Sequence, residues 1–174
     1  DPTAERMTGD PRRIDRMSLA EVRRLVVGGP KSARFPGERI PTLAEVLDLA
    51  PPDVLLALEL KDPRFADPDR ARAILDRTAE RVTARTVVFI SFDLAVLRTV
   101  KRVVAGTPCG HITLRNPLPT QPVELVGPFW PLLRINPFYV AMAHRRGRWV
   151  GPLDPDLHRR LPRYLRLGVD AVLT

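Results

Sequence analysis

The chain has 174 residues, of which 44% are hydrophobic and 28% charged, with a formal net charge of +8. That size and apolar content suit one globular domain and exclude a disordered or collagen-like chain. The lone cysteine, Cys109, excludes an internal disulfide framework and a multi-cysteine zinc site, and no stretch approaches the roughly 18 consecutive apolar residues of a membrane span.

All but Lys31, Lys61 and Lys101 of the 28 basic residues are arginines, and they are scattered along helical stretches such as 69–85 and 157–166. Aromatics make up only 6% of the chain. A nucleic-acid binder gathers its arginines on one face and interleaves aromatics for stacking. The charge therefore reads as solvated helix faces, with no nucleic acid expected as partner.

Two helix starts come first. Ser18 followed by Glu21, and Thr42 followed by Glu45, both match the capping box, in which hydroxyl and carboxylate satisfy each other's backbone donors. Turns at Gly28-Gly29-Pro30 and Phe35-Pro36-Gly37 lie between them. A strand is then expected over Val54–Leu60, stopped by Asp62-Pro63. A helix is expected over Asp67–Arg85, with Pro68 in its first turn and apolar residues at three-to-four spacing. Strand Val87–Phe92 and helix Asp93–Val104 follow. A strand near Gly110–Leu114, a proline-rich connection through Phe129 and a strand near Leu132–Asn136 come next. The pattern closes with a helix near Tyr139–Arg146, a strand near Arg148–Leu153, a helix over Pro155–Leu167 and a strand over Asp170–Thr174.

Six expected strands alternating with helices predict an α/β fold with a parallel sheet, either doubly wound or closed into a barrel. The length alone suits the open sheet, since a (β/α)8 barrel takes about 250 residues. The first 50 residues offer helices without a strand, however, as if they completed a βα unit that begins upstream. Asp1 is not a methionine and Thr174 falls inside an expected strand. The expectation is an incomplete (β/α)8 TIM-type barrel, with residues 1–174 as its one partial domain.

In such folds the chemistry gathers at the carboxyl ends of the strands. Glu59 and Lys61 end the first strand two residues apart, so they project from the same side as Leu55 and Ala57. A carboxylate there can ligate a hard divalent cation and an ammonium can contact a phosphate oxygen; equally, the two can form an ion pair that closes the strand. Ser91 and Asp93, Arg115 and Asn116, and Arg134 and Asn136 follow successive apolar runs. Each suits a cap or loop, Asp93 above all, and together they suggest a polar rim fit for an anion. His158 is expected in solvent, His144 at a helix end where a cation complements the dipole, and His111 in the core or on the rim. There is no nucleophile–histidine constellation and no phosphate-cradling glycine fingerprint.

The order of motifs, DPTAERMTGD at Asp1–Asp10, ERIPTLAEVLDL at Glu38–Leu49, LALELK at Leu56–Lys61, ISFD at Ile90–Asp93 and LGVDAVLT at Leu167–Thr174, resembles the glycerophosphodiester phosphodiesterase family. The resemblance runs from the first residue to the last. It implies a barrel that hydrolyses small-molecule glycerophosphodiesters to glycerol 3-phosphate and an alcohol with a divalent cation, Mg or Ca. It places the family's third metal carboxylate on Glu59 and its phosphate-binding lysine on Lys61. The family's His-Arg-Gly strand, its E-x-D strand and the histidine of its His-Asp pair would all precede Asp1. Both acid–base histidines therefore fall outside these residues, which alone are expected to be inactive. The family's tryptophan–threonine pair at the seventh strand is replaced by Gly151-Pro152-Leu153-Asp154 after Val150, with Trp149 out of register. The rival reading is a noncatalytic barrel remnant keeping an anion-binding rim. The compartment is unmarked, with cytoplasm the default.

Overall fold

The computed structural model describes residues 3–28, 35–51, 53–76 and 87–174. Residues Asp1–Ala50 make one compact unit, carrying α1 (Glu5–Thr8), α2 (Leu19–Val22) and α3 (Leu43–Leu49). Both expected capping boxes form. Ser18 Oγ accepts from the Glu21 N–H at 3.3 Å while Glu21 Oε2 accepts from the Ser18 N–H at 2.8 Å. The Thr42–Glu45 pair repeats this at 3.2 and 2.7 Å. The residue after α2, Arg23, then forks onto the Glu45 carboxylate at 2.7 and 2.9 Å, tying the two helices together. Gly37 turns the chain back at φ +82°, a conformation that a Cβ disfavours, and Val26 and Arg39 form an antiparallel bridge beside it. The second half of the Gly28-Gly29-Pro30 turn lies outside the described residues.

Residues Pro51–Thr174 make the second unit. Five strands, β1 (Leu56–Glu59), β2 (Val87–Ser91), β3 (Cys109–Thr113), β4 (Leu125–Pro128) and β5 (Trp149–Val150), pair in the order β1-β2-β3-β4-β5, all parallel. This order separates the two architectures left open by length. A doubly wound sheet reverses its strand order at a switch point, whereas a barrel adds each strand beside the last. The sequential order is that of a βα barrel, and among the described residues the sheet is open, with β1 at one edge. Bridges from Phe129 to Leu153 and from Leu153 to Leu173 carry the parallel pairing past β5.

Helices α4 (Pro68–Leu75), α5 (Leu94–Val103), α6 (Leu132–Ile135), α7 (Tyr139–His144) and α8 (Leu157–Leu167) connect the strands. Asp67 caps α4 by accepting from the Asp69 and Arg70 N–H groups, with Pro68 in the first turn as expected; the rest of that predicted helix, to Arg85, lies outside the described residues. Among the described residues no helix is long and apolar enough to cross a membrane.

Alternation assigns the two faces of the sheet. Val88, Ile90, Ile112 and Leu125 form one buried cluster, joined by Leu153 and Leu173. The residues between them, including Val87, Phe89, Cys109 and Val126, are buried on the opposite face, where α5 packs on β2 and β3. Cys109 is fully buried there, and burial together with the neighbouring Glu124 carboxylate pushes its thiol up to about 11. On the clustered face Gly110 leaves room for its neighbours. A Cβ at that position would stand 2.7 Å from Leu125 Cδ2 and 2.9 Å from Ile90 Cγ2.

Two expectations are corrected. Leu132–Asn136 is not a strand but contains α6. The strand of this unit lies earlier, at Leu125–Pro128, within what reads as a proline-rich connection. Pro128 is the last residue of that strand, where its missing N–H costs the ladder least, and its carbonyl accepts from the Leu153 N–H at 2.9 Å. Likewise Asp170–Thr174 contributes a single bridge rather than a full strand.

Replacing Gly110 by Ala should destabilise the chain. Overpacking costs about 1–3 kcal/mol, and the loss of unfolded-state freedom returns about 0.4–1. A drop centred on about 1.3 kcal/mol in urea unfolding is expected, the difference of the midpoints of those two effects.

Candidate active site at the strand ends

Glu59 closes β1, and its position is pinned by the backbone on either side. Glu59 pairs in register with Ile90, so it shares the clustered face of the sheet. The next residue, Leu60, donates its N–H to Ile90 O at 2.8 Å and accepts from Ser91 Oγ at 2.8 Å. Lys61 returns to the side of Glu59, and its Nζ lies 3.3 Å from Glu59 Oε2. The side chains retain 56% and 31% of their exposure, respectively, so the pair itself is worth little, under about 1 kcal/mol. A carboxylate and an ammonium thus meet at the carboxyl end of β1 with water access and with oxygen and nitrogen atoms presented together.

The next acid is engaged elsewhere. Asp62 caps the 3-10 turn Pro63–Ala66 and holds the Arg64 guanidinium, with Nε at 2.8 Å from Oδ2 and 3.0 Å from Oδ1. That guanidinium pulls its carboxyl below the usual range. Among the described residues no three His, Cys, Asp or Glu side chains cluster as a metal site.

The remaining rim residues divide between structure and surface. Ser91 is buried and binds Leu60 O and the Asp93 N–H. Asp93 caps α5 by accepting from the Ala95 N–H at 2.7 Å. Asn116 turns the chain after β3 by accepting from the Leu118 N–H, while Arg115 is exposed beside it. Arg134 and Asn136 do not end a strand, since they belong to α6 and its C-cap. Asn136 instead ties that cap to the loop after β3, donating to Pro117 O at 2.8 Å.

None of the three histidines shares the face of Glu59. His111 alternates with Ile112 and so turns to the helix-covered face, where Nε2 donates to Phe92 O at 3.1 Å. Burial holds its pKa below the ordinary value. His144 ends α7, as expected, and pairs with Asp170 at 2.9 Å. His158 stands in solvent. Trp149 begins β5 and lines an apolar concavity of about 440 Å³ with Leu55, Ala57 and Leu173, at the amino end of its strand and away from the rim.

Sequence reasoning missed the best-built polar cluster. Asp154, just past β5, is fully buried; it accepts from Arg160 Nη1 at 2.7 Å, from Tyr164 Oη at 2.5 Å and from the Asp156 N–H at 2.9 Å. The Arg160 guanidinium stacks 3.7 Å over the Trp130 ring. Burial alone pushes the Asp154 pKa upward, but these donors outweigh it and leave it below 3.8. The spacing of six and ten residues from Asp154 carries the only sequence signal, and it becomes visible once α8 is known to fold back over α6.

The depressed pKa fixes a sign. This stabilisation is complete above pH 3.8, the ordinary value, and is lost as pH falls through the lower folded-state value. Asp154→Asn should destabilise the chain by roughly 3 kcal/mol at neutral pH, the lower end for a broken buried pair because Arg160 is partly exposed. The deficit relative to the parent should shrink in unfolding curves taken below pH 3.8.

Comparison with known proteins gives one consistent answer. The model of the glycerophosphoryl diester phosphodiesterase family matches residues 1–174. A glycerophosphodiester phosphodiesterase of Caldanaerobacter subterraneus is 27% identical over all of this chain and 74% of its own length. Among solved structures, an Oleispira antarctica phosphodiesterase in complex with the product sn-glycerol-3-phosphate superposes with a TM-score of 0.84 at 20% identity, covering 99% of this chain and 72% of that one. A glycerophosphodiester phosphodiesterase of Parabacteroides distasonis gives 0.74 at 18% identity over 93% of this chain and 68% of that one. At these identities the two structures establish the shared barrel fold.

Proposed function

Because the chain belongs to the glycerophosphoryl diester phosphodiesterase family, an enzyme family of phosphodiester hydrolases, we propose that the strand end carrying Glu59 and Lys61 is the phosphate subsite of that reaction. The family match over 1–174 supports reading these residues as parts of one barrel domain. The observation that carries the subsite is the 3.3 Å pairing of Lys61 with Glu59 on the clustered face of the sheet, at the carboxyl end of β1.

Lys61 is given the task of binding a non-bridging oxygen of the diester phosphate. Its ammonium is a compact point charge with three donors, so it can turn one donor to the phosphate while Glu59 holds another. Glu59 thereby orients Lys61 through Oε2 and has a second carboxylate oxygen to offer. That oxygen fits one ligand position of a hard divalent cation, magnesium or calcium. Such a cation takes six or more oxygens, more than this carboxylate supplies, so the remaining ligands are assigned to no described residue. When bound, a divalent cation offsets the negative charge that develops on the phosphoryl oxygens. No acid–base role is assigned to His111, His144 or His158, whose positions are explained by packing, a hydrogen bond to Asp170 and solvent.

The substrate is a small glycerophosphodiester, and its alcohol group is left open by Gly151-Pro152-Leu153, which offers no polar side chain. The test is binding of glycerol 3-phosphate followed by calorimetry, with and without Mg or Ca. Losing a charge-assisted hydrogen bond of about 1.5–3 kcal/mol predicts that Lys61→Ala weakens binding by about tenfold or more. Glu59→Gln should abolish the strengthening by the divalent cation. A Glu59→Gln protein whose binding still responds fully to the cation would remove Glu59 from the site. Hydrolysis of a glycerophosphodiester by the same chain distinguishes a working enzyme from a remnant that only binds the anion.

A further inference from the structure

We propose that the notch between α6 and α8 is a second anion site, selective for a small phosphate monoester or inorganic phosphate. A concavity of about 170 Å³ is lined there by Trp130, Leu133, Arg134, Arg160, Arg163 and Tyr164. Three arginines line one small space, and no carboxylate is among the lining residues.

The charges in and beneath the notch leave a surplus. Asp154, fully buried below it, neutralises Arg160 through the 2.7 Å ion pair. Arg163 gives one Nη2 hydrogen bond to Leu133 O at 3.2 Å and forms no ion pair among the described residues. Arg134 is exposed and has no acceptor among the described residues. Among the described residues, two guanidinium charges are therefore left without a counter-charge. A phosphate monoester carries about −1.5 to −2 at neutral pH, which matches that surplus. Guanidinium forks also suit phosphate oxygens, since each can give two parallel hydrogen bonds.

Preorganisation sharpens the fit. Arg160 is held in place from two directions, by Asp154 and by the Trp130 ring 3.7 Å away. Tyr164, itself buried, fixes the other Asp154 oxygen. The floor of the notch is thus rigid, and only Arg134 and Arg163 need to settle on the ligand. The same stack argues for a small anion over a nucleic acid, because one face of Trp130 is already covered and unavailable to a base.

This inference is independent of the role given to Glu59 and Lys61, and the experiment keeps the two apart. The signal is the fluorescence of Trp130, isolated in a Trp149→Phe background. Inorganic phosphate and glycerol 3-phosphate are titrated in turn at constant ionic strength set with chloride. A saturable change that Lys61→Ala leaves intact is expected. Arg134→Ala should weaken it measurably, and Arg134→Ala with Arg163→Ala by about tenfold or more, the scale of one lost charged contact. Tighter binding of glycerol 3-phosphate than of inorganic phosphate would make the organic monoester the ligand, and equal binding would make it the free anion. The site is overturned if the fluorescence follows ionic strength alone. It is also overturned if the change survives in folded Arg134→Ala/Arg163→Ala protein or disappears in Lys61→Ala.

Discussion

The register of β1 against β2 is the constraint on which the candidate active site rests. Side chains in a strand alternate between faces, so a slip of one residue would carry Glu59 and Lys61 from the clustered face to the helix-covered one. The Leu60 N–H to Ile90 bond and the Ser91 hydroxyl to Leu60 bond prevent that slip. Ser91 is therefore more than a polar residue that happens to end a strand. It locks the edge strand at the residue between the two charged groups, and its own Oγ then accepts from Asp93 N–H, which starts α5. One hydroxyl coordinates the end of β1 with the start of the next helix.

The barrel class was legible because four of the strands are short, apolar and bounded by residues that cannot extend them. Val87–Phe92 and Gly110–Leu114 are of this kind, and the structure moves their ends by only a residue. Both capping boxes were equally legible, since that motif is local and needs no tertiary partner. The fourth strand was hidden for a physical reason. Gly127 and Pro128 are poor strand formers by propensity, yet Gly127 is wanted where a Cβ would come within 3.2 Å of Gly151 O. The apolar stretch Leu132–Asn136 imitated the missing strand, and periodicity cannot tell so short a buried helix from a strand.

Site residues show the same division. The Glu59–Lys61 pair could be read because two-residue spacing on a strand fixes a common face. Asp93 as a cap could be read for the same local reason. The Asp154–Arg160–Tyr164–Trp130 cluster could not, because it joins the end of β5, the loop after β4 and two levels of α8. Its members meet only after the chain has turned back over itself. The charge of +8 has a similar lesson. Most arginines remain scattered, but helix packing brings three that are distant or spaced in the sequence, Arg134, Arg160 and Arg163, together at the α6–α8 notch.

The burial of Cys109 has a practical consequence. Its thiol lies beneath the helix layer with a pKa near 11, so at neutral pH the reactive thiolate is scarce and shielded. The chain contains no other cysteine. A thiol introduced at exposed Arg115, on the rim, would therefore be the one site open to a maleimide or spin label. The native residue could stay in place, sparing the packing that its removal would disturb, and the strand ends could be watched spectroscopically in an otherwise unaltered protein.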